Sequence, residues 1–182
     1  MSIFQTLTDS GIITSRAPVS DKFRNYVLQY RIPESDGKLP GQVELDRRFV
    51  ESNFQRLYEL KEMIFHALGY PEELRESLYA CTDVIIQELE PGKILDWHID
   101  AYKFDDGSSL SYEALFYVST VNDPDRVFMW REKDAGYLAH SLKIKNGTVV
   151  LINCENDRFE HAAIAADKIG ERTVTLLLGC RR

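Results

Sequence analysis

At 182 residues the chain is long enough for one domain with a real core, which should bury about 70% of the surface of the unfolded chain. Its composition, 44% hydrophobic and 28% charged, is ordinary for a soluble globular protein, and no apolar run approaches the roughly 18 residues of a membrane-spanning helix. A net charge of −7 and a pI of about 5.2 weigh against nucleic acid as a substrate, since such binders carry a basic field that neutralises phosphate.

No such field is evident from composition, which leaves open only a local patch around Arg47, Arg48 and Lys61. Cys81, Cys154 and Cys180 are odd in number and far apart, forming neither a CxxC pair nor a disulfide framework. Each sits in an apolar run, which predicts buried thiols in a reducing cytoplasm. Residues 1–15 lack the basic-then-apolar order of a secretory signal.

In chain order, Phe23 to Ile32 mixes aromatic and β-branched residues and predicts an early strand. Pro33 to Gly41 reads as a loop. From Asp46 to Leu68, apolar residues at Val50, Phe54, Leu57, Ile64 and Leu68 recur at helical spacing, with Asp46 to cap the start and Gly69 to end it. His66 falls on the polar side of that helix. A shorter helix is expected from Pro71 to about Tyr79.

After Ala80 the pattern changes to short strands: Thr82 to Leu89, the run ending at His98, Ala114 to Thr120, Val127 to Arg131, Ser141 to Ile144, Thr148 to Asn153, Phe159 to Ala163 and Arg172 to Leu178. The acidic stretch Phe104 to Ser111 reads as a loop, placed where a lid would sit. Asn146-Gly147 between two β-rich runs predicts a tight hairpin. The expected fold is mainly β with N-terminal helices: one domain, with residues 1–80 as helical support and 81–182 as a jelly-roll core.

The chemistry centres on Pro91-Gly92-Lys93-Ile94-Leu95-Asp96-Trp97-His98-Ile99-Asp100. Strand alternation puts His98 and Asp100 on one face and Trp97 on the other. An imidazole beside a carboxylate supplies two of the three ligands of a non-haem Fe(II) centre, which needs one more histidine and keeps positions open. His140 and His161 are the candidates for the third. His161 is preferred, because Ala162 and Ala163 leave room around an ion. Arg172 opens the last strand in phase with Val174, Leu176 and Leu178, where a guanidinium needs an anion; a structural salt bridge and a bound carboxylate both answer that need. Trp97 reads as a core residue, and Trp130 and Arg131 lie near the expected mouth of the roll, where they could touch substrate.

The ordered set Pro91-Gly92, His98-x-Asp100, Leu115-Phe116-Tyr117-Val118, Gly147 to Leu151, His161 and Arg172 resembles the 2-oxoglutarate/Fe(II)-dependent dioxygenases, in their prolyl-hydroxylase-like branch. The likeness spans about residues 82–179. It implies a double-stranded β-helix core in which His98, Asp100 and His161 hold Fe(II). Arg172 and Tyr117 would bind the distal carboxylate of the cosubstrate 2-oxoglutarate. Dioxygen is the third reactant, the substrate is a small molecule or a peptide side chain, and succinate and CO2 are released. Members that halogenate lack the carboxylate found here at Asp100, so hydroxylation is the implied reaction. Two positions depart from the family pattern: Leu89 and Glu90 stand where a tyrosine is common, and Val174 where serine or threonine is common. Outside the family, a cupin-like metal-binding protein or isomerase would share the ligands without needing Arg172, and a metal-free interaction module would need neither. Oligomeric state is not legible in the sequence.

Overall fold

A computed structural model describes residues 9–29, 42–44, 81–87, 92, 94–101, 109–121, 125–134, 139–154, 157–164 and 171–179, of which 42–44, 81–87 and 171–179 as backbone. In chain order the elements are β1 (Ile12–Arg16), α1 (Asp21–Gln29), β2 (Gln42–Glu44), β3 (Cys81–Gln87), β4 (Ile94–His98), β5 (Leu110–Ser119), β6 (Val127–Glu132), β7 (His140–Lys143), β8 (Thr148–Asn153), β9 (Phe159–Ile164) and β10 (Glu171–Gly179). The expected helices within 46–79, with His66, lie outside the described residues, as do the loop at 33–41 and residues 104–108 of the expected lid.

Two antiparallel sheets face each other. One has six strands in the order β1-β8-β5-β10-β3-β2, the other four in the order β4-β9-β6-β7. From β3 onward the chain alternates between them, apart from the β6–β7 hairpin, as a jelly roll does. β1 and β2 show that the part of the chain before residue 81 also supplies strands to the larger sheet.

The core follows from alternation. Leu115 and Tyr117 on β5, Val150 and Ile152 on β8 and Ile12 on β1 meet Phe128 of β6 and Ile144 between the sheets, with Trp130 and Leu142 packed against them. The opposite face of β5 carries Phe116, which meets Phe23 of α1 at 5.9 Å between ring centroids. β8 is buried from Thr148 to Ile152, so it reads as a continuous apolar run with β-branched residues.

Two expectations change. The predicted strand from Phe23 is a helix, α1. Ser20 starts it, its Oγ accepting from the Phe23 N–H at 3.2 Å and its carbonyl from the Arg24 N–H at 2.9 Å. Phe23 and Val27, about one helical turn apart, share the buried side, and the cap rather than the aromatic and β-branched composition decides the element. The Asn146-Gly147 turn is tight but joins strands of different sheets, so it is no hairpin. Its groups bond to β5 and the end of β1 instead. Gly147 N–H donates to the Tyr117 carbonyl, the Ala17 N–H donates to the Gly147 carbonyl, and Asn146 Oδ1 accepts from the Ser119 N–H. Gly147 has φ +83°, and a Cβ there would stand 2.3 Å from the Ala17 carbonyl oxygen, so only glycine fits.

Candidate metal centre

Gly92, at φ +70°, turns the chain into β4. Leu95 pairs with Ala163 but His98 with His161, so β4 holds one extra residue between the two pairs. This bulge changes the phase of the strand. Without it His98 would continue the outward row of the exposed Ile94 and Asp96; with it, His98 turns to the interior beside His161. The row continues across the small sheet, because His161 also stands opposite Trp130, and Trp130 opposite His140. Asp100 follows two residues after β4.

The structure brings together three of the residues named from sequence. His98, Asp100 and His161 each offer one ligand atom, and the three atoms lie within 4.8 Å of one another. His98 Nε2 is 3.5 Å from Asp100 Oδ1, and His161 Nε2 is 3.1 Å from Asp100 Oδ2. Ligand atoms held at right angles on one ion, each about 2.1 Å away, stand about 3 Å apart. Asp100 Oδ2 is buried yet accepts no hydrogen bond, despite its closeness to His161 Nε2. The atoms thus converge on a point between them rather than bonding to each other. His98 Nδ1 donates to the Asp96 carbonyl at 2.6 Å, which leaves the Nε2 lone pair directed at the site. The donor set, two imidazoles and a carboxylate on one side of an ion, fits Fe(II).

His161 is buried, whereas the side chains of His98 and Asp100 keep 31% and 26% of their exposure, so the centre opens on their side. Phe128 stacks on the His161 ring at 5.5 Å. His140, the other histidine considered, is exposed at the far edge of the sheet and stacks on Trp130 at 5.2 Å.

Glu113 was not anticipated. It lies on β5 in phase with Leu115 and Tyr117, buried and turned to the interior, with its carboxyl against Asp100. Burial, then the Asp100 charge, push Glu113 well above the usual carboxylate range, so it carries a proton. Burial pushes Asp100 up, but the groups around it, Glu113 first and then the His161 and His98 imidazoles, outweigh that and hold it well below the usual range. Glu113 is therefore the donor and Asp100 the ionised acceptor. A lone glutamate in the interior phase of an apolar strand was the available signal. The neighbouring Asp100 carboxylate raises His98 above its ordinary pKa, against the opposing effect of burial.

Tyr117 is buried on the interior face of β5, and burial lifts its pKa to about 12, so its hydroxyl stays a donor. The Arg126 guanidinium, also buried, lies 4.7 Å over its ring; Arg126, just before β6, was missed because an arginine next to a polar loop reads as solvated. On β10, Arg172 stands opposite Val118, while Thr173 stands opposite Tyr117. The side chain of Arg172 lies outside the described residues, as do those of Leu89, Glu90 and Val174.

Trp97 and Arg131 correct the sequence reading. Trp97 is only half-buried, and the Arg131 guanidinium covers it at 4.2 Å while donating to Glu160 at 2.6 Å. Both belong to the outer side of the small sheet; of the pair Trp130 and Arg131, only Trp130 is in phase with the ligands.

No family model matches the chain, and no curated protein does. Solved structures do. A 2OG-Fe(II) oxygenase family oxidoreductase from Burkholderia pseudomallei matches 99% of this chain and 89% of its own, at 13% identity and a TM-score of 0.62. A Trichoplax adhaerens prolyl hydroxylase, solved with a hypoxia inducible factor peptide fragment, matches over 98% and 87%, at 14% identity and a TM-score of 0.58. HygX from Streptomyces hygroscopicus, solved with iron bound, matches over 97% and 85%, at 14% identity and a TM-score of 0.58. The chain thus has the double-stranded β-helix fold of the 2-oxoglutarate/Fe(II) oxygenases, with a His-Asp-His ligand set inside it.

Proposed function

We propose that this protein is an Fe(II)- and 2-oxoglutarate-dependent oxygenase that hydroxylates a small molecule or an exposed peptide side chain. The observation that carries the reading is the convergence of His98 Nε2, His161 Nε2 and a carboxylate oxygen of Asp100, one of whose oxygens is buried without a hydrogen bond, in this fold. Bound Fe(II) would supply the activation of dioxygen, coupled to conversion of 2-oxoglutarate to succinate and CO2.

The chain's own residues do the rest. The Asp96 carbonyl fixes the His98 tautomer. Glu113 keeps Asp100 ionised and oriented. Phe128 stacks on His161 and ties that ligand to the apolar core, of which Leu115 and Val150 are part. The partly exposed side of His98 and Asp100 is where substrate enters, and Trp130, beside His161, faces the same interior. Tyr117 and an arginine would hold the cosubstrate's far end. A peptide substrate finds support in the peptide-bound Trichoplax structure, and a cytoplasmic setting in Cys154, a half-buried thiol.

Anaerobic addition of Fe(II) and 2-oxoglutarate should give a metal-to-ligand absorption band, and oxygen should then release succinate. His98→Ala should abolish both. A wild-type protein that gives neither band nor succinate rules the proposal out.

A further inference from the structure

The structure assigns to Trp130 the selection of the substrate: its indole N–H donates to an uncharged carbonyl oxygen, that of a peptide bond or of a small amide, close to the carbon to be hydroxylated. This rests on the oxygenase reading above and names the group that the substrate must carry.

Trp130 stands in the row of the ligands. It lies opposite His161 on one side and His140 on the other. Alternation along β6 puts it on the same face as Phe128, whose ring stacks on His161. Directly opposed residues on neighbouring strands are about 5 Å apart. A group bound at Trp130 is therefore only a few bonds from one placed at the metal.

The ring is held in place. His140 stacks on it at 5.2 Å with 20° between the planes, Phe128 approaches it at 6.0 Å, and it packs against the core cluster. Its N–H is the part left over. An indole nitrogen only donates, and a buried one usually finds an acceptor. This N–H makes no hydrogen bond among the described residues, and it is not sealed from solvent. Trp97, by contrast, lies on the outer side of the sheet under the Arg131 guanidinium.

The surroundings decide what the N–H meets. The row His98, His161, Trp130 and His140 holds no lysine or arginine, and the chain has a net charge of −7. A free carboxylate at Trp130 would have one neutral donor and no such cation in the row to answer its charge. An amide carbonyl needs only the one donor, and its flat group suits an aromatic neighbour.

The test gives the Fe(II)-loaded protein 2-oxoglutarate, oxygen and three pools of compounds: capped tripeptides, small cyclic amides and small carboxylic acids. Succinate release should rise above the substrate-free rate with one of the amide pools, and which of the two answers tells a peptide bond from a small molecule. For the compound isolated from that pool, Trp130→Phe, which keeps a ring but no donor, should raise KM about 10-fold. Trp130→Tyr has a hydroxyl to donate and should recover part of the loss. In the Zn(II)-loaded protein the same compound should move the NMR signal of the Trp130 indole N–H downfield and leave that of Trp97 in place, a readout that needs no variant to fold. Acids that stimulate where amides do not, a KM equal in wild type and Trp130→Phe, or a Trp130 signal that stays still would each overturn the assignment. So would succinate release that no pool raises. A wild type that gives neither the absorption band nor succinate removes the oxygenase reading, and this assignment with it.

Discussion

The two sheets contribute differently to the same interior. The six-stranded sheet is built around β5 and β8, whose apolar side chains are buried on both faces. The four-stranded sheet is half-exposed along β4, β6 and β7, yet it carries both imidazoles of the centre. Its inner row holds His98, His161, Trp130 and His140, and its outer side holds Trp97 under Arg131. The larger sheet answers with Glu113 and Tyr117. A buried platform thus fixes orientation, and a thinner, more open layer carries the candidate ligands, with His98 and Asp100 on its accessible side. Stability and metal binding should therefore be separable by mutation.

The largest separation is expected between Leu151→Ala and His161→Ala. Leu151 is fully buried, and its loss should cost about 2–5 kcal/mol, read as a lower denaturation midpoint. His161→Ala should reduce Fe(II) affinity by more than the roughly 10- to 100-fold typical of supporting residues, with the metal-free protein still folded. If the Leu151 variant loses metal and keeps its stability, the division between the sheets is wrong.

Glu113 comes next, since it joins the two. Glu113→Leu removes the donor to Asp100 and should weaken Fe(II) binding by roughly 10- to 100-fold. Glu113→Gln keeps an N–H donor and should stay within a few-fold of wild type. Equal losses in both would mean that the side chain acts by volume alone.

A smaller effect is expected with pH. In the folded, metal-free protein the neighbouring Asp100 holds the His98 imidazole above its ordinary pKa. Its pairing with Asp100 therefore stabilises that form at low pH, and the gain fades as pH rises through the folded pKa. Fe(II) needs the neutral imidazole, so metal affinity should rise with pH over the same window and then level off, as titrations across it would show. In His98→Ala this dependence should disappear with the metal site.

Arg131→Ala should do least. It uncovers Trp97 and breaks the pair with Glu160 on the outer side, at a cost of about 1 kcal/mol, and metal affinity should not change. An affected metal site would show that the outer side supports the ligands.

Much of this was legible in the sequence, and the remainder failed for physical reasons. Strand alternation and ordered spacing pointed to His98, Asp100 and His161, because a ligand set on strands leaves a periodic trace. The bulge in β4 left none, although it is what turns His98 inward. The aromatic and β-branched content of residues 23–32 points to a strand, whereas the Ser20 cap and the three- and four-residue spacing of Phe23, Tyr26 and Val27 belong to the helix α1. The Asn146-Gly147 turn was visible, but which sheet each flanking strand joins depends on partners distant in the chain. Glu113 and Arg126 were passed over because a charged residue in sequence carries no mark of burial, which depends on where its strand is packed.

His98, Asp100 and His161 should hold a single ion between them. A crystal structure grown anaerobically with Mn(II) in place of Fe(II) should show one ion per chain, about 2.1 Å from Nε2 of His98, Nε2 of His161 and a carboxylate oxygen of Asp100. An ion bound elsewhere, or a His98 that binds through Nδ1 with its bond to the Asp96 carbonyl broken, would contradict it.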